Sequence, residues 1–437
     1  MRVLIVGGGG REHAMAWSVA REAAVARVFC APGNAGTALE PKVCNRPVAA
    51  DDIPGLLALA QAEGCGLTLV GPEAPLAAGI VDAFAAAGLA CFGPTQRAAE
   101  LESSKAFAKE FLRRHGIPTA PFASFTDEAL ALAHIDAHIA AQGLPIVVKA
   151  DGLAAGKGVV VARSREEARA AASAMLQGGL CGAAGRRIVV EAFVPGEEAS
   201  FICVTDGEHA VPLASAQDHK ARDDGDLGPN TGGMGAYSPA PVVTEAVCAE
   251  VMARIVGPTL AGMAAEGRPY RGFLYVGLIF DDEGRPLVLE FNCRLGDPEA
   301  QVILLRLQSG LLGLCQAALA GGLAGLPVAW APEVGIGVVL AAAGYPGPVA
   351  KGEVIAGLDG RTPPGVKVFH AATARREDGA IVTQGGRVLT VCALGEGLPA
   401  ARQAAYAACA GIHWSGAFYR RDIGHRALPG AACGGRP

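Results

Sequence analysis

Short apolar runs alternate with helix-period patterns through the first hundred residues. VLIV (3–6), VFCA (28–31), LTLV (67–70) and ACF (90–92) read as strands, and helical stretches run from about Glu12, over 54–62 and over 80–87. Strands alternating with helices predict a parallel sheet covered on both faces, whose ligand crevice lies beyond the carboxyl ends of the strands. The turn-forming segments fall at those ends: Gly7 to Gly10, PGNAGT (32–37), GPEAP (71–75) and GPT (93–95).

A helix is then predicted from Ser103 or Ser104, either a good cap, through Phe107, Phe111 and Leu112 to His115 and Gly116, with Pro118 beyond. After a helix near 127–141 the pattern changes to Val- and Ile-rich runs (PIVVKA, KGVVVA, RIVVEAFV, ASFICV) joined by glycine turns. From Pro332 to Ile423, Gly/Pro turns again alternate with strands such as GIGVVLAAAG, VKVFHA and RVLTVCALG, and the tail beyond Leu428 is expected to be disordered. The one membrane-like stretch noted, 311–330, is broken by Gln316, Gly321, Gly322, Gly325 and Pro327, so a packed helix ending near Gly321 is expected there.

Composition narrows the class. The 437 residues are about three times the usual ~150-residue domain, so several cores are expected. With 51% hydrophobic and 18% charged residues the chain is globular, and a net charge of -5 without a run of five like charges argues against nucleic-acid or anionic-membrane partners. The twelve cysteines lie singly, the closest pair being Cys30 and Cys44, which points to a reducing cytosol rather than a disulfide framework. MRVLIV is too short for the apolar region of a signal peptide.

Several segments carry candidate chemistry. GGGGREH follows a strand and opens a helix, so its amides could hold a phosphate or carboxylate, although Glu12 stands where a dinucleotide fingerprint needs its last glycine. DGLAAGKGV (151–159) is not a P-loop; lying between two β runs, it predicts a glycine-rich hairpin able to fold over phosphates. Lys149, inside an apolar run, must meet an anion, and Lys105 in the first turn of a helix opposes the macrodipole. In PLVLEFNCRLGDPE (286–299), strand alternation puts Glu290, Asn292 and Arg294 on one face and Leu289, Phe291 and Cys293 on the other. A carboxylate beside an amide oxygen suits a hard Mg²⁺ that keeps waters and phosphate oxygens, with the guanidinium clamping anionic oxygens. QDHKARDDGDLGPNTGGMGAYSP (217–239) reads as a long substrate-contacting loop, His134 and His138 as a surface pair, and no nucleophile motif occurs.

Taken in order, GGGGREHA, APGNAGT, VGPEAPL, SKAF, VVKADGLAAGKGV, EEASF, QDHK, GPNTGGMGAYSP, EFNCRLGDPE and YRRDIG resemble the ATP-grasp superfamily and, within it, the glycinamide ribonucleotide synthetase family of purine biosynthesis. The likeness covers nearly the whole chain, and GPNTGGMG and EFNCRLGDPE are its most specific parts. The family more often has Asn at the place of Gly8.

The resemblance implies an α/β ATP-grasp fold in three parts. These are an N-terminal parallel-sheet (pre-ATP-grasp) domain over 1–103, an ATP-grasp domain over 104–331 with a lid at about 122–194, and a C-terminal α+β domain over 332–428 before a tail at 429–437. It implies a cytoplasmic ligase that joins glycine to 5-phosphoribosylamine through a glycyl phosphate, using ATP with Mg²⁺ or Mn²⁺. Its partners would be those small molecules and, transiently, the enzyme that produces phosphoribosylamine.

On this resemblance Lys105, Lys149, Gly156, Lys157 and Gly158 contact ATP phosphates; Glu191, Phe193 and Val194 line the base pocket; and Glu198 contacts the ribose. Arg294, Asp218 and Lys220 are the catalytic candidates, with Asp218 and Arg294 handling glycine and its acyl phosphate. Gly9, Gly10, Asn34, Glu73, Asn230, Thr231, Gly232 and Asp297 would meet substrate, and Glu290 and Asn292 the metal. The rivals are another ATP-grasp carboxylate–amine ligase, which would not be expected to carry QDHK with GPNTGGMG, and a non-catalytic nucleotide sensor, which need not keep the metal face.

Overall fold

A computed structural model describes residues 1–154, 158–179, 181–358 and 362–428. The first sheet is parallel throughout, with strands β1 (Arg2–Gly7), β2 (Arg27–Pro32), β3 (Val43–Asn45), β4 (Leu67–Val70) and β5 (Cys91–Phe92) in the order β3-β2-β1-β4-β5. Alternate residues of β1 feed two cores: Leu4 and Val6 join Phe29, Leu56, Phe84 and Phe111 on one face, while Val3 and Ile5 join Met15, Val28 and Leu69 on the other. The helix expected from about Glu12 begins earlier: Gly9 is its N-cap, and α1 spans Gly10–Ala20.

The Val- and Ile-rich region folds into two antiparallel sheets. In one, β6 (Phe122–Phe125), β7 (Ile146–Ala150), β8 (Val159–Ala162) and β9 (Ile188–Ala192) are ordered β6-β9-β7-β8 over a small core built on Ile135, Val148 and Met175. In the other, β10 (Glu197–Thr205) and β11 (Ala210–Pro212) pair with β16 (Gly272–Phe280) and β17 (Pro286–Asn292) in the order β11-β10-β16-β17. Helix α2 (Lys105–Arg114) bridges the first sheet and these two, its cap Ser104 accepting the Phe107 amide at 3.1 Å.

The segment 217–239 is not the open loop its polar composition suggests. It holds β12 (Gln217–Asp218), β13 (Ala221–Asp223), β14 (Leu227–Asn230) and β15 (Gly235–Ser238). Strands β12 and β15 belong to a sheet with β18 (Val334–Ala341), β22 (Arg387–Gly395) and β19 (Val366–His370), ordered β12-β15-β18-β22-β19, so β15 finds its partner about a hundred residues downstream. Strands of two to four residues are too short for alternation to announce them. The short pair β20 (Thr373–Arg375) and β21 (Ile381–Thr383) lies beside this sheet.

The stretch 311–330 does contain a packed helix, Leu311–Leu319, with left-handed Gly321 just past its end. It is not the most membrane-like stretch: Glu245–Ala265 is the one helical run among the described residues long and apolar enough to cross a membrane, and its Val251, Ile255, Val256, Leu260 and Met263 pack into the main core.

Candidate active site

The carboxyl ends of the first sheet, α2, β17 and the QDHK strand converge on a cleft of about 460 Å³. Lys105, Lys149, Glu191, Asp218, Lys220, Glu290, Asn292 and Arg294 all line it, although they come from segments spread over almost two hundred residues.

Each cation has its own setting. Lys105 enters on the first turn of α2, where Asp151 offsets the unfavourable dipole: its carboxylate accepts the Ala106 amide at 2.7 Å and the Ser104 hydroxyl at 2.9 Å. The Lys105 ammonium donates to the Gly152 carbonyl at 3.2 Å; desolvation lowers its pKa, with Glu290 opposing. Lys149, whose side chain is 9% exposed, meets the anion its apolar run demanded: Oε2 of Glu191 at 2.9 Å. The same oxygen lies 3.1 Å from Lys109, a buried residue one turn after Lys105 that also donates to Thr119 at 2.7 Å. Burial pushes Lys109 down to about 8 against the pull of Glu191. The i,i+4 spacing of Lys105 and Lys109 is the signal in the sequence for this third cation.

Strand β17 corrects the alternation by one residue. Gly277 pairs with Glu290 but Leu278 pairs with Val288, so Leu289 is the extra residue of a bulge; it lines the cleft rather than the core. Beyond the bulge the expected faces hold. Glu290 and Asn292 look into the cleft, while Phe291 and Cys293 are 3% and 2% exposed in the core with Val288. Burial opposes ionisation of Glu290, but Lys220, Lys149, Lys105 and Arg294 outweigh it and hold its carboxyl below the usual range. Arg294 donates to the Asn292 side-chain oxygen at 3.2 Å and pairs with Glu102 at 3.0 Å and Glu73 at 3.3 Å. Desolvation acts against the Arg294 guanidinium, and those two carboxylates more than compensate, raising its pKa. Glu102, which also accepts the Cys293 amide at 2.7 Å, was missed because nothing in its local pattern marks it.

Across the cleft, Lys220 pairs with Glu198 at 2.8 Å. Desolvation works against the Lys220 ammonium, yet Glu198 and Asp218 raise it well above its ordinary value. Asp218 is pushed up to about 7, chiefly by desolvation, with Lys220 pulling it down and Glu299 and Glu198 adding to the rise. Glu299 is itself buried and accepts from Ser200 at 2.9 Å and Tyr275 at 3.0 Å. A tyrosine in the middle of the apolar run GFLYVGLIF was the available signal for that group.

The phosphate-cradle expectation for the N-terminal glycines changes. The Gly9 amide donates to the Glu12 carboxylate, so the protein's own anion occupies the mouth of α1. A methyl group on Gly10 would stand 2.5 Å from Nε2 of Gln301, which explains the glycine by close approach. Asn34 is a loop clamp: its amide nitrogen donates to the carbonyls of Gly8 at 2.9 Å and His370 at 2.8 Å, and its oxygen accepts from Gly36 and Thr37. That leaves the side chain no polar capacity for a substrate.

Asn230 is exposed on β14 and does not line the cleft, whereas its neighbours Thr231 and Gly232 do. The Thr231 hydroxyl is committed to the Lys220 carbonyl at 2.8 Å. Asp297 lines the cleft beside Arg387, which donates to the Asp297 carbonyl at 2.6 Å. Arg387 is a further cation that sequence reasoning missed, since it arrives from β22. Phe193 and Val194 sit half-buried on the connection from β9 to β10, just beyond the lining residues; Gly158 lines the cleft, and Gly156 and Lys157 lie outside the described residues.

The arrangement gathers cations and hard oxygen donors around one space and, among the described residues, presents no nucleophile–base pair. Such a site suits transfer between anions by positioning and charge neutralisation.

Comparison with known proteins gives concordant matches. Residues 1–102 match the phosphoribosylglycinamide synthetase N domain, 103–300 its ATP-grasp (A) domain and 335–426 its C domain. A phosphoribosylamine–glycine ligase of Vibrio cholerae is 58% identical over 428 residues, covering 98% of this chain and 99% of its own. The crystal structure of the Thermotoga maritima phosphoribosylamine–glycine ligase superposes with a TM-score of 0.82 at 35% identity, over 97% of this chain and all of that one. At 17% identity and a TM-score of 0.72, the biotin carboxylase domain of Hydrogenobacter thermophilus 2-oxoglutarate carboxylase, solved with MgADP, shares the ATP-grasp fold over 96% of this chain and 91% of its own.

Proposed function

The chain belongs to the phosphoribosylglycinamide synthetase family, and from that premise we propose how its cleft joins glycine to 5-phosphoribosylamine with ATP, as a phosphoribosylamine–glycine ligase of purine biosynthesis. A glycine carboxylate oxygen attacks the γ-phosphorus, the bond to the β-phosphate breaks, and ADP leaves. The amine nitrogen of phosphoribosylamine then attacks the acyl carbon of glycyl phosphate, inorganic phosphate departs, and the nitrogen loses a proton. The products are 5-phosphoribosylglycinamide, ADP and phosphate.

The observation that carries the site assignment is the meeting of Lys105, Lys149 and Arg294 with Glu290 and Asn292 in one cleft. Lys105 and Lys149 neutralise ATP phosphates, with Lys149 exchanging part of its contact with Glu191 for the nucleotide. Arg294 is rigidly held by Glu73 and Glu102, so its guanidinium is preorganised toward the acyl phosphate. Asp218 and Lys220 hold glycine from the opposite wall, and Glu73 faces the ribosylamine. Glu290 and Asn292 fit a hard divalent cation: both are oxygen donors on the cleft face of one strand, and the surrounding cations keep Glu290 ionised. Mg²⁺ bound there would neutralise phosphate charge and hold the phosphates in line.

The eleven cysteines among the described residues are all free and most are buried, which supports a cytoplasmic setting. The test is ADP release with phosphoribosylamine generated in situ. Turnover requiring both glycine and the amine is the expected result; turnover requiring neither would overturn the reading.

A further inference from the structure

Behind β12 and the extended His219 and Lys220 that follow it lies a charged cluster that the reaction does not use. Side chains alternate there, so His219 faces away from the cleft and is fully buried. Its Nε2 accepts the Gly424 amide at 2.9 Å, which leaves the proton on Nδ1, 3.5 Å from the Asp226 carboxylate. Asp226 also receives Arg420 at 2.9 Å and Arg426 at 2.8 Å, and His425 lies 3.4 Å away.

Ligand atoms of His219, Asp226 and His425 lie within 4.8 Å of one another, as in a metal site. The chemistry argues otherwise. Two guanidiniums already neutralise the carboxylate, and the His219 nitrogen that faces it carries a proton rather than a lone pair. The cluster is an ionic clasp between two distant segments.

The clasp has several strands. Arg420 is fully buried, donates to the Ala221 carbonyl at 3.0 Å and forms a two-pronged pair with Asp422. The Asp422 carboxylate accepts the Gly225 amide at 2.8 Å, and the Asp224 carboxylate accepts the Arg421 amide at 2.7 Å. Asp226 itself has φ 57°, a left-handed backbone unusual for a residue with a side chain. Two contacts reach residues 218–220 directly: the Gly424 amide on His219, and Arg426, which donates to the Asp218 carbonyl at 3.2 Å.

We propose that Asp226 is a positioning residue of the active site: by anchoring Arg420 and Arg426 it makes the C-terminal segment 419–428 hold Asp218 and Lys220 at the correct depth in the cleft. The physical reason is that β12 has only two residues and its pairing with β15 continues through His219, whose amide donates to the Gly235 carbonyl at 2.9 Å and whose carbonyl accepts the Met234 amide at 2.7 Å, so the intervening Asp218 carbonyl points to the opposite edge, where Arg426 holds it. The carbonyls on either side of the buried His219 are pinned, Asp218 by Arg426 and Lys220 by Thr231. The acidic loop that made 217–239 look like free loop is thus the docking point for residues 420–426.

The inference rests on the assignment of Asp218 to the glycine half of the cleft, and the test separates the two. Steady-state constants and melting temperature are measured on the full-length enzyme for Asp226→Asn, Arg426→Gln and the control Asp218→Asn. We expect both clasp variants to raise the glycine KM by about fivefold or more while the phosphoribosylamine KM stays within about twofold. Arg426→Gln removes a single, partly exposed group and decides the matter if Asp226→Asn does not fold. A purely structural clasp would lower the melting temperature and the active fraction without moving either KM, and that outcome overturns the proposal. A glycine KM moved by Asp218→Asn but by neither clasp variant also overturns it alone; one unmoved by Asp218→Asn overturns the assignment beneath it as well.

Discussion

Nζ of Lys149 stands 2.9 Å from Oε2 of Glu191, so the free protein already neutralises the lysine it would offer to a nucleotide. The pair also includes Lys109, which makes Glu191 a single carboxylate shared by two buried ammonium groups. Removing the carboxylate and removing one ammonium should therefore have different consequences.

Lys149→Met leaves Glu191 paired with Lys109 and fills similar volume without a charge. It is expected to keep the fold and weaken ATP binding by about tenfold or more, roughly 1.4 kcal/mol, read by calorimetry. Glu191→Gln strands two buried cations and is expected to cost about 3 kcal/mol of stability, read by denaturant unfolding. Equal stability of the two variants would show that the carboxylate is not shared.

The cleft face of β17 gives a second test. Asn292→Leu removes a neutral oxygen donor and the acceptor of Arg294, and is expected to lower kcat/KM about a hundredfold, near 3 kcal/mol of transition-state stabilisation. Cys293→Ala, on the core face, should lose on the order of 1 kcal/mol of stability with less than about tenfold change in turnover. A deeper catalytic loss at Cys293, with both proteins folded, would reverse the facing.

Glu102 ties Arg294 to the backbone of Cys293. Glu102→Gln keeps the shape but leaves a buried guanidinium with one fewer carboxylate, and is expected to cost about 3 kcal/mol of stability and to lower kcat more than it changes the ATP KM. Unaltered kcat in the folded variant would mean that Arg294 needs no such support.

Desolvation pushes the Asp218 carboxyl up to about 7. A raised carboxylate pKa leaves the group protonated below that value and charged above it. If the carboxylate holds the glycine ammonium, kcat/KM for glycine should rise with pH through about 7 in the wild type. Asp218→Asn should flatten that limb. A wild-type profile without an inflection between pH 6 and 8 would remove Asp218 from that role.

Much of this protein was legible in the chain itself. The parallel sheet followed from strands alternating with helices, because a strand buried on both faces leaves a short continuous apolar run and an amphipathic helix a 3.6-residue period. The chemistry of GPNTGGMG and EFNCRLGDPE could be read because those residues are neighbours in sequence, and Lys149 betrayed its anion by lying within an apolar run. What the sequence could not determine depended on groups distant in the chain. Leu289 turned into the cleft through a bulge set by its pairing with β16, and Asn34 spent its amide on His370, more than three hundred residues away. Within 217–239, β13 and β14 pair with each other and β12 with β15, but β15 joins a larger sheet only through β18, and Glu102, Lys109, Asp226 and Arg387 acquired their roles from the oppositely charged or carbonyl groups that folding brought against them. Periodicity is a local property and survives in the sequence; hydrogen-bond and charge partners are set by contacts in space, which only the tertiary structure decides.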